Sequence, residues 1–267
     1  MEKIRRLFFV GPRIRIVKPR ELDRVVVVLV RARNPNNIGA AARAMHDFGF
    51  RHLRAVNEYG VPFETARSAV DASEVLAGAA AFGSVAEAVA DCTLVVGTTA
   101  VGERAVQHPL HVLADGGERI AEELGRDGGR VALLFGSEKT GLSNDELSHC
   151  HWLLTIPMEE HEGVRHPSMN LGQAVAVCLY ELIRSAGVSS ATGGGASSAA
   201  AGEVERLTAL LTEVLEETGY TKRHPANCDE AQIRRLVLRM GAAAGDVPVW
   251  MGILRQVLWK VRGGGGD

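Results

Sequence analysis

An α/β domain built on a parallel sheet, followed by a small helical module, is what this sequence predicts. Three observations carry the prediction. Between residues 25 and 184, short apolar runs alternate with stretches of helical periodicity, the signature of a sheet interleaved with helices. The runs are unbroken rather than alternating in polarity, as strands buried on both faces must be. After residue 202 the short runs stop and only helical spacing remains.

Taken in order, the apolar runs place strands at 25–30, 52–56, 93–97, 130–135 and 152–156. Helical patterns fall near 38–48, 71–77, 84–90, 109–124 and 144–149, and a longer one spans 170–185. Residues 185–202 read SAGVSSATGGGASSAAAG, without charge, aromatic or periodicity, and so predict a flexible linker. Three further helices follow at 203–218, 229–244 and 247–261. The resulting division is a basic arm (1–24), an α/β domain (25–184), a linker (185–202) and a helical module (203–267). A module of that size is marginal alone and predicts docking on something larger.

Composition excludes several classes. At 46% hydrophobic and 23% charged, the 267-residue chain can bury a core and is not disordered throughout. Its longest aliphatic run, 25–30, is far short of the roughly 20 residues a membrane helix needs. Leu7-Phe8-Phe9-Val10 is too short for a signal-peptide core. Cys92, Cys150, Cys178 and Cys228 form no C-x-x-C pair, which argues against a disulfide framework or a zinc site and for the cytoplasm. The formal charge of −2 hides an asymmetry: residues 1–33 carry ten Lys/Arg against three acidic residues. A basic edge on an acidic body suits an anionic polymer, and equally describes a solvated arm.

Ligands of open parallel sheets bind beyond the carboxyl ends of the strands, so the loops there deserve the closest reading. The first runs from Arg31 through Ala32-Arg33-Asn34-Pro35-Asn36-Asn37 into Ile38-Gly39-Ala40-Ala41-Ala42-Arg43. An Asn can cap the helix, and the Gly/Ala face invites close approach by a backbone or ligand. Tight packing accounts for the small residues but not for three Asn and two Arg ahead of them. The second loop, Gly136-Ser137-Glu138-Lys139-Thr140-Gly141-Leu142, ends in a capping box of Ser143 with Glu146. It matches neither a P-loop nor G-x-G-x-x-G, which counts against nucleotide-dependent oxidoreductases. The third runs from Ile156-Pro157 to Pro167-Ser168-Met169-Asn170. His161 and His166 are five apart with Pro167 following, and no H-E-x-x-H is present, so no metal is expected. There is no G-x-S-x-G elbow for a serine hydrolase either. Ser168 or Asn170 is placed to cap the helix after it.

These three loops, in this order, resemble the three motifs of the SpoU/TrmH family of RNA 2′-O-methyltransferases in the SPOUT superfamily. Motif one is Asn34 to Met45, motif two Phe135 to Leu142, and motif three Ile156-Pro157 with Pro167 to Leu171. The tail is similar to that of the TrmJ-like subgroup. Two departures stand out: an insertion around Glu160–His166 and the basic arm before residue 25.

The resemblance implies a C-terminal deep trefoil knot and a homodimer with a shared active site. It implies S-adenosylmethionine as cofactor, held by Thr98, Thr99 and Ala100, by Gly136, by Ile156, and by Ser168, Met169 and Asn170. It assigns Arg43 to the ribose 2′-hydroxyl, with Asn34 orienting Arg43 or the substrate phosphate. Glu138 would fix the loop or neighbouring Asn residues, and Ser168 and Asn170 would complete the catalytic pocket. The implied substrate is tRNA, at the cytidine or uridine of position 32 in the anticodon loop. Ribosomal RNA is the alternative within the family, and a non-catalytic RNA-binding protein the alternative outside it. Arg31, Arg33, Lys222 and Arg223 are candidates for phosphate contacts.

Overall fold

The structure is a computed structural model that describes residues 22–57, 72–100, 107–159, 169–185 and 197–263. Seven strands form one parallel sheet in the order β3-β2-β1-β6-β4-β7-β5. The strands are β1 (Val25–Val30), β2 (His52–Val56), β3 (Ala80–Phe82), β4 (Leu94–Thr98), β5 (Leu110–Val112), β6 (Val131–Phe135) and β7 (Trp152–Thr155). The central strand β1 is wholly buried. Val25, Val27 and Leu29 enter the core on one face of the sheet, and Val26, Val28 and Val30 enter the core on the other. Two-sided burial explains why the run carries no polar alternation.

The first face is covered by α1 (Pro35–Phe48), α2 (Ser73–Ala77), α4 (Leu113–Gly125) and α6 (Leu171–Ser185). The second carries α3 (Val85–Val89) and α5 (Asn144–Ser148). Two edge strands were not expected. β5 occupies the start of the helix predicted at 109–124, and the helix itself begins at Leu113. β3 is three residues long, with Ala80 and Ala81 exposed. Neither strand is buried enough to need an apolar run.

The helical module comprises α7 (Ala201–Glu217), α8 (Tyr220–Arg223), a 3₁₀ turn (Pro225–Asn227), α9 (Glu230–Met240) and α10 (Val247–Val261). Its own small core gathers Ala199, Val204, Leu207, Val237 and Val247. The end of the segment predicted as linker is packed rather than free. Ser198 bridges to Ala243, Ala199 is buried, and the Ala201 and Gly202 amides donate to the Cys92 and Ala90 carbonyls at 2.7 and 2.9 Å. The first amides of α7 are thereby satisfied by carbonyls at and just beyond the C-terminal end of α3, a requirement that composition could not reveal. Residues 186–196, the rest of that segment, lie outside the described residues.

Candidate active site

Sheet order places the carboxyl ends of β1, β6, β4 and β7 side by side, and three of the sequence motifs start there. Asn34 caps α1: its Oδ1 accepts the Asn36 amide at 3.0 Å, and its carbonyl accepts those of Asn37 and Ile38. Pro35 fits the first helical position because its missing N–H is one the helix could not use. Asn34 is therefore occupied with its own helix, and no bond from it to Arg43 is present.

Asn37, one turn further, makes the contact expected between Glu138 and a neighbouring Asn, although sequence reasoning gave Asn37 itself no site role. Its Nδ2 donates to Glu138 Oε1 at 2.7 Å, and its Oδ1 accepts from Asn170 Nδ2 at 3.1 Å. Asn170 in turn accepts the Gly172 amide on its Oδ1 at 3.0 Å, capping α6. One relay, Glu138–Asn37–Asn170, thus joins all three motifs. A carboxylate acceptor and two amides satisfy one another with donors and acceptors in alternation, which fixes the orientation of each amide. The sequence signal was weak: an Asn in the first helical turn beyond the one needed as cap.

Motif two folds into a closed turn. The Gly141 amide donates to the Ser137 carbonyl at 2.9 Å, and Ser137 Oγ lies 2.8 Å from Thr140 Oγ1. A Cβ at Gly136 would come 2.2 Å from the Gly141 carbonyl carbon, so only glycine fits. The predicted capping box of Ser143 and Glu146 is present and starts α5.

Arg31 is built into the site by its own contacts. It adopts φ +55, a left-handed conformation uncommon for a residue with a side chain. Its guanidinium crosses to motif two, forking Glu146 at 2.6 and 2.9 Å and donating to the Gly141 carbonyl at 2.9 Å. Burial alone would raise the Glu146 pKa, but the Arg31 fork and the Ser143 amide lower it on balance. Arg31 is thus part of the frame that holds the turn.

Arg43 is exposed on α1, one turn after Ala40, and among the described residues it makes no hydrogen bond or ion pair. Ala40 abuts α6 so closely that a Cβ at Gly172 would lie 2.5 Å from its own. The small-residue face therefore serves helix packing. Of the cofactor candidates, Gly136, Thr98, Thr99 and Ile156 are half-buried at neighbouring strand ends, Ala100 is exposed beside them, and Met169 precedes α6. Thr98 Oγ1 donates to the Leu134 carbonyl at 2.9 Å, tying β4 to β6 at this end. Ser168 and the insertion around Glu160–His166 lie outside the described residues. Arg33, Lys222 and Arg223 are exposed. No cluster of His, Cys, Asp and Glu able to hold a metal occurs among the described residues. No helix there is long and apolar enough to cross a membrane.

Residues 24–180 match the family described as SpoU rRNA Methylase. The chain belongs to the SpoU methylase family. Its match in the tRNA (cytidine/uridine-2′-O-)-methyltransferase TrmJ of Pectobacterium atrosepticum is 33% identical over 244 residues, covering 88% of this chain and 97% of that protein. The protein of the same name from Salmonella typhimurium is 30% identical over 249 residues, covering 91% and 99%. The crystal structure of TrmJ from Z. mobilis ZM4 superposes with a TM-score of 0.71 at 30% identity, covering 87% of this chain and 98% of that one. These matches cover more of the chain than the family model does and so extend into the helical module.

Proposed function

We propose that this SpoU methylase transfers a methyl group from S-adenosylmethionine to a ribose 2′-hydroxyl of tRNA, at the cytidine or uridine of position 32. The observation that carries the reading is the Glu138–Asn37–Asn170 relay, which locks three motif loops together at the ligand-binding end of the sheet. Relatives with the TrmJ name, matched over most of both chains, supply the substrate class.

The residues present fit the cofactor. Three neighbouring strand ends bring the backbones of Gly136, Thr98 to Ala100 and Ile156 together, and Gly136 lets the motif-two turn close tightly on itself beside them. Met169 and Asn170 would close the pocket from the α6 side. The cofactor supplies an electrophilic methyl on a sulfonium. Everything else falls to positioning and to stabilising a developing oxyanion. Arg43 does the latter: a guanidinium is a permanent cation and a poor base, so it binds the 2′-oxygen and lowers the cost of its losing a proton.

Arg43 is exposed, as a residue serving a site shared with a second copy would be. Tyr180 of α6, 55% exposed, lies 6.3 Å from the Phe48 ring at the end of α1. This exposed aromatic on the α1–α6 surface fits the homodimer of the family.

Purified protein incubated with tritiated S-adenosylmethionine and unmodified tRNA, beside ribosomal RNA, tests the reading. Label mapped to a 2′-O-methylpyrimidine at position 32 is the expected result. Label confined to ribosomal RNA would overturn the substrate, and cofactor binding without transfer to any RNA would overturn the enzyme.

A further inference from the structure

Arg234 of α9 is a charged side chain only 5% exposed, in a module whose other charges are mostly solvated. Its guanidinium forks Glu205 of α7 at 3.0 Å on each arm and reaches Glu230 at 2.6 Å. The remaining arm leaves the module: it donates at 2.8 Å to Ser148 Oγ, a fully buried hydroxyl at the end of α5. Asp145, also on α5, lies 3.9 Å away. Next to Ser148, His149 Nδ1 sits 3.7 Å from Glu205 Oε2. A desolvated arginine with three carboxylates around it is costly to bury, and it is held only by good geometry.

What α5 does at its other end gives this contact its meaning. That helix is five residues long, and its first turn carries Glu146, which holds Arg31 and the Ser143 amide. Arg31 in turn holds the carbonyl of Gly141 and the hydroxyl of Thr140. A continuous run of bonds therefore leads from Arg234 through α5 and Arg31 to the turn that starts at Gly136. The links at Ser148, Glu146 and Arg31 join buried or part-buried groups, so a shift of α5 is passed on toward the turn.

We propose that Arg234 is a positioning residue for the methyl transfer: by clamping the helical module onto α5 it fixes the Gly136–Leu142 turn in the shape that binds S-adenosylmethionine. The tail then has a task within its own cofactor pocket, apart from any contact it makes with RNA. The proposal rests on reading that turn as a wall of the pocket.

The test uses the full chain and titrates S-adenosylmethionine calorimetrically without RNA, with hydrogen exchange followed at residues 137–142. Replacing the guanidinium in Arg234→Met is expected to weaken cofactor binding about tenfold and to speed exchange in the turn. In turnover, the KM for cofactor rises by a similar factor while the KM for RNA stays put. Arg234→Lys keeps the charge but cannot fork, so it recovers part of the affinity. Ser148→Ala removes the direct bond from Arg234 to α5, together with the Ser148 bond to the Asp145 carbonyl, and spares the ion pairs. It keeps the fold testable should Arg234→Met not fold, and a threefold weakening is expected. Arg262→Met is the control, since Arg262 pairs with Glu213 and Glu217 inside the module alone. It should bind cofactor as the parent does. Parent-like affinity in both Ser148→Ala and Arg234→Lys would overturn the proposal, as would equal weakening in Arg262→Met. Gly136→Ala separates the two readings: normal cofactor binding in that variant would mean that the turn is no wall of the pocket.

Discussion

Asn170 donates to Asn37 at 3.1 Å across 133 residues of sequence, and in doing so sets the amide of Asn37 to donate to Glu138. Neither side chain is oriented by its own helix alone. Asn37→Ala removes a charge-assisted bond and a neutral one together, leaving the Asn170 amide and the Glu138 carboxylate without their partner. Turnover is expected to fall about tenfold to hundredfold. Asn37→Asp should be no better, since a second carboxylate cannot donate to Glu138. Single-turnover rates with saturating cofactor check both.

Arg43 is exposed and uncommitted among the described residues, so its removal costs the fold nothing. Arg43→Ala should cut turnover by about 10²–10³, the loss seen when one oxyanion donor is removed. Calorimetric affinity for S-adenosylmethionine should stay within about twofold of the parent. Near-normal turnover would remove Arg43 from the reaction.

Arg31 is the opposite case. Its carboxylate partner Glu146 has a side chain only 13% exposed, so Arg31→Met strands a half-buried charge. After allowance for the 31% exposure of Arg31 itself, about 1–2 kcal/mol of stability should be lost. Thermal unfolding should show a drop of about 2–6 °C.

His151 gives the protein an acid-sensitive limb. Its Nδ1 accepts the Val95 amide at 3.1 Å, and burial pushes its pKa down to about 4. The folded state thus resists a proton that the unfolded chain binds near 6.5. Stability is full above that unfolded value and is lost as pH falls from there toward 4, by on the order of 2–3 kcal/mol. Burial lowers His52, His108 and His149 in the same direction. Urea unfolding at pH 7 and pH 4.5, repeated for His151→Gln, should show a shallower loss in the variant.

Thiol reactivity should single out one cysteine. Burial raises the pKa of Cys92 and Cys178 to about 12 and that of Cys150 further, whereas Cys228 is part-exposed on the module. Native protein at pH 8 should take up one equivalent of iodoacetamide, at Cys228, and four only when unfolded.

The parallel sheet was legible because β1, β4, β6 and β7 are buried on both faces and must be apolar throughout. β3 and β5 were not, because each is a three-residue edge with only one residue even part-buried. The caps at Asn34 and Ser143 could be read locally, since a cap satisfies amides two or three residues away. Asn37 and Arg31 could not, because each finds its decisive partner more than a hundred residues later. The same holds for Ser197 to Gly202, where a composition that looks unable to fold is ordered by backbone bonds to distant carbonyls.

The pairing of β1 with β6 has a consequence for how the molecule comes into being. Val25 has Val131 as its neighbour in the ladder, and Arg31 forks Glu146, which lies 115 residues further along the chain. A chain emerging from the ribosome holds the wholly apolar β1 with one edge open for the whole interval. Closure of that edge costs a long loop, which makes folding slow relative to a helical protein of the same size. Assembly of the motif relay comes last of all, since Asn170 lies beyond every strand. A nascent chain therefore completes its sheet before it can acquire its active site.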